Sequence, residues 1–131
     1  MYRSFQELQL LYDIRHRRTI SDADGQGYLY AYVDSNEVKV GMTKNFNHRK
    51  EEWDRNCPYA GRIWLPPLRV ANRRRAESLA HLLLEMACTD RPRMYCQNCH
   101  RTHVEKFIFR GLWPVAWRTI IYPILLRAAN S

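Results

Sequence analysis

An alternating run of tyrosines and aliphatic residues most constrains the fold of this chain. Residues 27–33 read Gly-Tyr-Leu-Tyr-Ala-Tyr-Val, and the turn formers Asp-Ser-Asn separate them from Val-Lys-Val at residues 38–40. β-Formers on both sides of a short turn predict a β-hairpin. Side chains alternate along a strand, so one face carries phenols and the other is apolar. The phenols are Tyr28, Tyr30 and Tyr32, and the apolar residues are Leu29, Ala31 and Val33.

Helical patterns precede and follow this hairpin. Ser4 and Glu7 have the spacing of a capping box, and Asn45 and Asn72 can each cap a further helix. In the third helix, a stripe of leucines and Met86 predicts a core-facing side. The predicted helices run from about Phe5 to Arg18, from Asn45 to about Arg55, and from Arg73 to about Cys88.

The rest of the chain completes an α/β (α+β) domain. Residues 63–65 and 68–70 flank a Pro-Pro pair, which predicts an edge strand or a broken third strand. We expect a loop over residues 90–101, a short strand over 104–109, and an apolar helix kinked or broken near Pro123. The predicted fold is a small, mainly antiparallel three-stranded sheet flanked by helices. Its divisions are an N-terminal helix and turn (1–26), the central domain (27–110) and a C-terminal helix packed on that domain (111–131).

Composition and charge limit the class of protein and the kinds of partner it could bind. With 131 residues, 46% hydrophobic and 26% charged, the chain is one globular domain and not a disordered or repetitive one. The net charge of +8 favours a polyanionic partner. No window is apolar enough for a membrane span and no signal peptide is evident, so we expect an intracellular protein that does not bind membranes, with the nucleus as one option.

Several motifs together resemble the GIY-YIG nuclease superfamily, in the phage-type and fungal branch that opens with G-Y-[IV]-Y and carries K-[IV]-G. The first motif is Gly27-Tyr28-Leu29-Tyr30, and the second is Lys39-Val40-Gly41. The later landmarks follow in the expected order and extend the resemblance over about residues 27–109. They are Lys44-x4-Arg49, Trp53, Cys57, Ala76-Glu77-x3-His81 and Cys96-x2-Cys99-x3-His103-x-Glu105-x-Phe107.

This resemblance implies a metal-dependent DNA endonuclease that hydrolyses phosphodiester bonds. Glu77 would be the sole protein ligand of Mg²⁺ or Mn²⁺, and Arg49 would clamp the scissile phosphate. Tyr30 would activate or orient the water. Lys39 stands where the superfamily usually has its second tyrosine. Some members use a lysine there to favour the phenolate of the first tyrosine, although the exchange also fits a branch that binds DNA without cleaving it.

Four further residues are predicted to support this site. His81 would orient Glu77 or a metal-bound water, or it would be a core-edge histidine bonded to a backbone carbonyl. Glu105 lies in the His-x-Glu-x-Phe element, where Lys106 replaces the tryptophan usual in this branch. Tyr28 and His48 are candidates because of their proximity in sequence to Tyr30 and Arg49.

A second constellation predicts zinc. Cys96, Cys99 and His103 supply three ligands suited to one tetrahedral Zn²⁺. From the branch pattern we take Cys57 as the fourth ligand, with His100 as a substitute. Four protein ligands leave no position for substrate, so such a site would be structural. Free thiols in an irregular loop are the alternative.

Basic residues around the candidate site predict contacts with phosphates, although a run of arginines is also typical of a solvated helix surface. One rival function is a non-catalytic DNA-binding module on the same scaffold. Another is a zinc-dependent protein-interaction domain that uses Trp113 and Trp117. The apolar tail could also bury against a second subunit as a dimer contact. The predicted nucleic-acid-binding residues are Lys44, Lys50, Arg69, Arg73, Arg74 and Arg75.

Overall fold

The protein is a mixed α+β structure with a five-stranded antiparallel sheet flanked by helices. A computed structural model describes residues 3–58, 61–88, 94–96, 101–103, 106–111 and 116–131, with the backbone alone for 94–96 and 101–103. The predicted fold class is confirmed. The helices are α1 (Phe5–Arg17), α2 (Phe46–Asn56), α3 (Arg73–Ala87), α4 (Trp117–Ile120) and α5 (Tyr122–Ala129). The strands are β1 (Gly27–Asp34), β2 (Glu37–Thr43), β3 (Ile63–Trp64), β4 (Leu68–Val70), β5 (Met94–Cys96), β6 (Arg101–His103) and β7 (Lys106–Ile108).

The predicted hairpin is confirmed as β1 and β2. They pair antiparallel along their length, with Tyr30 opposite Gly41 and Tyr32 opposite Lys39. Ser35, in the connecting turn, has a positive φ of 55°. The register therefore puts Lys39 and Gly41 on the same face as the tyrosines, because directly opposed residues share a face.

The sheet has more strands than the three predicted. The third strand is broken as expected, and both halves pair with β1: β3 through Trp64 opposite Tyr32, and β4 through Arg69 opposite Tyr28. The Pro-Pro pair lies between the halves, where it is spared the ladder bonds that proline cannot donate. At the other edge, β7 pairs with residues 37–39 of β2 and adds the fifth strand.

The prediction of a loop over residues 90–101 was wrong in part. Strands β5 and β6 form a two-stranded antiparallel sheet separate from the main one. Each strand has three residues, which is too short for a periodic pattern to stand out in the sequence.

One face of the main sheet packs into an aliphatic core. Leu29 and Val33 of β1 and Val40 of β2 are at most 1% exposed, and α3 covers them with buried leucines that include Leu79 and Leu82. Helices α1 and α5 pack against α3 from the outside. The predicted break near Pro123 is confirmed, because Pro123 lies in the first turn of α5 and α4 ends just before it. None of the described helices is long and apolar enough to cross a membrane.

Helix α3 is capped from a distance. Asn72 occupies the predicted N-cap position, but its side chain makes no capping hydrogen bond. Instead, the Asp24 carboxylate accepts from the backbone N–H groups of Arg74 and Arg75 at 2.8 and 2.9 Å. Burial alone would raise the pKa of Asp24, but these bonds, one from the Gly25 N–H and the charge of Arg73 hold it below its ordinary value. Asp24 therefore ties the turn before β1 to the start of α3.

Candidate functional site

The opposite face of the sheet carries a cluster of aromatic rings under α2. Ring centroids of Tyr32 lie 5.3 Å from Trp53 and 5.2 Å from Trp64 in edge-to-face contacts. Tyr30 contacts Trp64 and Phe46 at 6.0 and 6.5 Å. These five residues are here called the aromatic face. Helix α2 supplies two of the rings, so its placement across the sheet depends on this cluster.

The Tyr30 hydroxyl is held by a residue of α2. Trp53 Nε1 donates to it at 3.2 Å, and Tyr30 is only 4% exposed. The ring lies directly against the backbone of Gly41, where a Cβ would sit 2.5 Å from Tyr30 Cζ. The glycine of the second motif thus makes room for the tyrosine of the first.

Lys39 meets the same tryptophan. It is 8% exposed, and its Nζ lies 5.9 Å from the centroid of the Trp53 ring. Along β2 it is two residues from Gly41, so it lies diagonally across the ladder from Tyr30. The structure therefore brings Tyr30 and Lys39 together through Trp53.

Arg49 lies one turn before Trp53 on α2. Its side chain is 42% exposed and its Nη1 is 3.9 Å from Glu52 Oε2. Its Nε atom is buried and has no hydrogen-bond partner among the described residues. A buried donor without a partner costs free energy, and an anion bound at Arg49 would supply the missing acceptor.

His48, the neighbour of Arg49, belongs to the solvent side of α2. Its Nε2 lies 2.9 Å from Glu52 Oε1 and its side chain is 67% exposed. Tyr28 is half-buried on the same side of β1 as Tyr30, opposite Arg69 and Thr43.

Arg62 is a residue of this face that the sequence analysis missed. Its side chain is 4% exposed, and its guanidinium lies 4.4 Å above the Tyr32 ring. Its Nη2 donates to the carbonyl of Cys57 at 2.6 Å, which ties the end of α2 to the sheet. Alternation with Trp64 along the chain is the signal that could have placed it here.

The chemical environments of the two buried tyrosines differ. The hydroxyl of Tyr32 is buried and has no hydrogen-bond partner in the described part of the chain. Burial raises its pKa far above the ordinary tyrosine value, and the nearby Arg62 offsets only part of this rise. Tyr32 therefore stays neutral, whereas the Tyr30 oxygen accepts a hydrogen bond.

His81 contacts the sheet rather than the aromatic face. Its Nε2 lies 2.8 Å from the carbonyl oxygen of Val40, and its ring lies 5.6 Å from Phe107. Of the two interpretations of His81, this contact is the one expected of a core-edge histidine. The contact also fixes the position of α3 on β2. It lies at Val40, the residue after the last β2 residue that pairs with β7.

Glu77 is half-buried, one turn before His81 on the same stripe of α3. The start of α3 lies at the end of the hairpin away from its turn, since the Arg73 N–H donates to the carbonyl of Gly25, just before β1, at 2.8 Å. Glu77 therefore lies between these two anchors, beside the end of β2 that contains Gly41.

Most of the predicted zinc site lies outside the described side chains. Cys57 is buried just after α2. Cys96 and His103 are described as backbone in β5 and β6, while Cys99, His100 and Glu105 are outside the described residues. Within the described residues, no group of three or more His, Cys, Asp or Glu side chains could hold a metal ion.

The predicted basic surface divides into two parts. Arg69 is exposed opposite Tyr28, and Lys50 Nζ lies 5.8 Å from the Trp64 ring and 3.3 Å from Asp54. Lys44 is exposed between β2 and α2, so these three border the aromatic face. Arg73 donates to the Gln26 carbonyl at 3.3 Å, near the start of β1. Arg74 and Arg75 instead lie beside Asp24, towards α1.

A family profile matches most of the central part of the chain. The profile of the T5orf172 domain matches residues 27–117, which is more than half of the chain and includes the hairpin, α2 and α3. This domain is a phage-derived, nuclease-like domain loosely related to the GIY-YIG and HNH endonucleases. No curated protein and no solved structure matches the chain. Because the matched segment covers more than half of the chain, this chain belongs to the T5orf172 domain family.

Proposed function

We propose that this protein is a metal-dependent DNA endonuclease with a site of the GIY-YIG type. The observation that carries the proposal is the position of Trp53, which holds the Tyr30 hydroxyl and contacts Lys39 from the helix that bears Arg49. The first two motifs and the arginine landmark thereby meet on one face of the sheet. The net charge of +8 suits a DNA partner.

Tyr30 is the residue proposed to take or orient a proton of the attacking water. A hydrogen bond donated to a phenolic oxygen stabilises negative charge there, and a nearby cation acts in the same direction. Trp53 supplies the first and Lys39 the second. The neighbouring Tyr32 has a cation nearby in Arg62, but its hydroxyl receives no hydrogen bond from a described residue and burial dominates its pKa, so we assign the chemistry to Tyr30.

Arg49 is proposed to bind the scissile phosphate. A guanidinium stays charged and donates two parallel hydrogen bonds to phosphate oxygens. The buried Nε atom of Arg49 has no acceptor among the described residues, and a phosphate oxygen would provide one. Tyr28 and Arg69, paired across β1 and β4, are proposed to line the path of the DNA strand.

Glu77 is proposed to hold the metal. Mg²⁺ and Mn²⁺ at phosphoryl-transfer sites use one or two carboxylates, with waters and substrate phosphates as the other ligands. A single half-buried carboxylate fits that ligand set. When bound, the ion would offset the charge that develops on the phosphate. His81 is a positioning residue, because its bond to Val40 sets α3 against β2. We keep Glu105 and His48 as supporting candidates.

We also keep the structural zinc site as a proposal. Buried Cys57 ends α2, and the chain segments of Cys96 and His103 form the separate hairpin of β5 and β6. A Zn²⁺ held by these residues and Cys99 would fix that hairpin against the end of α2. Such an ion would stabilise the domain without touching substrate.

A non-catalytic DNA-binding module is the second candidate, and the burial of the central pair favours it. Tyr30 and Lys39 are 4% and 8% exposed, so a reacting water must reach them past α2. The two candidates share the scaffold and differ only in whether the site cleaves.

Nicking of supercoiled plasmid with Mg²⁺ or Mn²⁺ at low salt tests the proposal. We expect cleavage by the natural chain and none by Glu77→Ala, with DNA binding largely retained. Glu51→Ala is the matched control, since it removes an exposed carboxylate of α2. Full activity of Glu77→Ala would overturn the metal assignment, and binding without cleavage under all metals would select the second candidate.

A further inference from the structure

A second site lies on the other side of α3 from Glu77. Two residues turn a helix by about 200°, so Arg75 and Glu77 point in nearly opposite directions. On the Arg75 side, the end of α1, the following turn and the start of α3 enclose a cavity of about 200 Å³. A water takes up about 30 Å³ in the liquid, so the cavity has room for a phosphate group and several waters.

Four arginines line this cavity, which is here called the arginine pocket: Arg15, Arg18, Arg74 and Arg75. The only carboxylate in the lining is that of Asp24, which already accepts three backbone N–H groups. The lining therefore carries an excess of positive charge.

Two of these arginines are held in place by hydrogen bonds. Arg15 Nη1 donates to Ser78 Oγ at 2.7 Å, and Arg75 Nη2 donates to the His16 carbonyl at 3.1 Å. Arg75 Nη1 is buried and has no hydrogen-bond partner within the described residues. Guanidinium groups fixed in this way lose little further conformational entropy when they bind an anion.

The other two arginines are uncompensated. The side chains of Arg18 and Arg74 are exposed and form no ion pair with a described residue. Burial, and after it the charges of Arg3 and Arg18, lower the pKa of Arg15. Like charges held close together at a cavity repel one another, and a bound anion would remove that repulsion.

We propose that the arginine pocket binds a phosphate group, outside the proposed cleavage site. Guanidinium groups form paired hydrogen bonds with phosphate oxygens. The Asp24 carboxylate does not replace such an anion, because it already accepts hydrogen bonds from the start of α3. The phosphate belongs either to the backbone of a nucleic acid that runs past α3 or to a free phosphate or phosphomonoester. The first source rests on the proposed function, and the second does not.

The test compares the double variant Arg18→Gln/Arg74→Gln with Arg55→Gln/Arg110→Gln. Both variants lose two positive charges from exposed arginines, and only the first pair lines the pocket. Binding of a short labelled duplex is measured by fluorescence anisotropy over a salt series, in a Glu77→Ala background that prevents cleavage. Binding of inorganic phosphate is measured by calorimetry.

A backbone occupant predicts that the pocket variant binds duplex at least about 10-fold more weakly than the control variant. The slope of log affinity against log salt should also fall by about 0.9 for the one lost phosphate contact. A free occupant predicts equal duplex binding by the two variants but loss of phosphate binding in the pocket variant alone.

If the two variants bound duplex equally and also bound inorganic phosphate equally, the proposal that the arginine pocket binds a phosphate group would be wrong. If the natural chain bound no duplex at all, the proposed function would fail while the phosphate titration still decided the pocket.

Discussion

The two faces of the β1–β2 hairpin differ in chemistry although they share the same strands. On one face, Leu29, Ala31 and Val33 pack with Val38 and Val40 into an aliphatic core. On the other, alternate residues of the same strands join the aromatic face and two buried cations, Lys39 and Arg62. Both faces have buried residues at their centre, so burial alone does not distinguish them.

The difference lies in the polar atoms. Three of the four buried side-chain atoms that lack a hydrogen-bond partner in the described structure belong to the aromatic side: Tyr32 Oη, Arg49 Nε and Arg62 Nε. The fourth belongs to Arg75 in the arginine pocket. Unpaired buried groups cost stability and concentrate where function requires them. The aliphatic face therefore stabilises the fold, and the aromatic face holds polar groups at some cost.

The largest expected effect comes from comparing Tyr30 with Tyr32, because only Tyr30 is proposed to take part in the chemistry. We expect Tyr30→Phe to lower the cleavage rate about 100-fold or more, because the proposed proton acceptor is lost. Tyr32→Phe on the same face should keep full activity, because its hydroxyl is neutral and buried. Single-turnover cleavage of a labelled duplex measures both. Equal losses in the two variants would contradict the assignment of chemistry to Tyr30.

Breaking the aliphatic face should affect stability most. Leu29→Ala should lower the free energy of unfolding by about 2–5 kcal/mol, since it opens a cavity at a residue only 1% exposed. Urea unfolding followed by circular dichroism gives the value. Leu10→Ala is the matched control, because Leu10 is 58% exposed and should change stability little.

Breaking the aromatic face should cost less. Gly41→Ala would put a Cβ 2.5 Å from Tyr30 Cζ, and we expect a loss of about 1–3 kcal/mol from overpacking. Gly25→Ala is a milder change for comparison, since its Cβ would meet only the end of the Arg73 side chain at 3.3 Å. If Gly41→Ala were as stable as Gly25→Ala, the close packing of Tyr30 on β2 would be wrong.

The smallest effect concerns the cap that holds α3 over the aliphatic face. Asp24→Ala should cost about 0.5–2 kcal/mol at neutral pH. The pKa of Asp24 is lower in the folded chain than in the unfolded chain, so its contribution is complete above about pH 4. It is lost as the pH falls through the folded pKa.

Urea midpoints measured at several pH values test this, with the exposed Asp22→Ala as the control. The difference between the natural chain and Asp24→Ala should shrink in acid. A difference that stayed constant, or grew, would show that the carboxylate does not act as the cap.

Much of the fold was readable from local patterns. The hairpin and the two faces of its first strand followed from strand alternation, and the helix starts followed from Ser4 and Asn45, whose side chains do accept the predicted capping bonds. The third cap was not readable, because Asp24 lies 50 residues before its partner Arg74. The short strands β5 and β6 were also beyond reliable prediction, since three residues carry almost no periodic signal. Strand β7, in contrast, lies within the strand predicted over residues 104–109.

The sequence indicated which residues belong to the candidate site, but not how they contact one another. Motif order indicated Tyr30, Lys39, Arg49 and Glu77, and no local pattern indicated that Trp53 would link the first two. Arg62 escaped notice because an arginine before a short strand is normally exposed. Its burial depends on the rings around it, which come from β1, α2 and β3.

The sequence by itself determined which side chains share a face, because alternation along strands and periodicity along helices are properties of the local backbone. It thereby separated the phenols of β1 from the aliphatic core. The tertiary structure alone decided which groups from distant segments meet: Trp53 on Tyr30, Arg62 on Tyr32, Asp24 on α3, and α1 with α3 at the arginine pocket. Such contacts depend on how whole helices pack on the sheet, and that packing is set by the summed burial of many residues rather than by any local run.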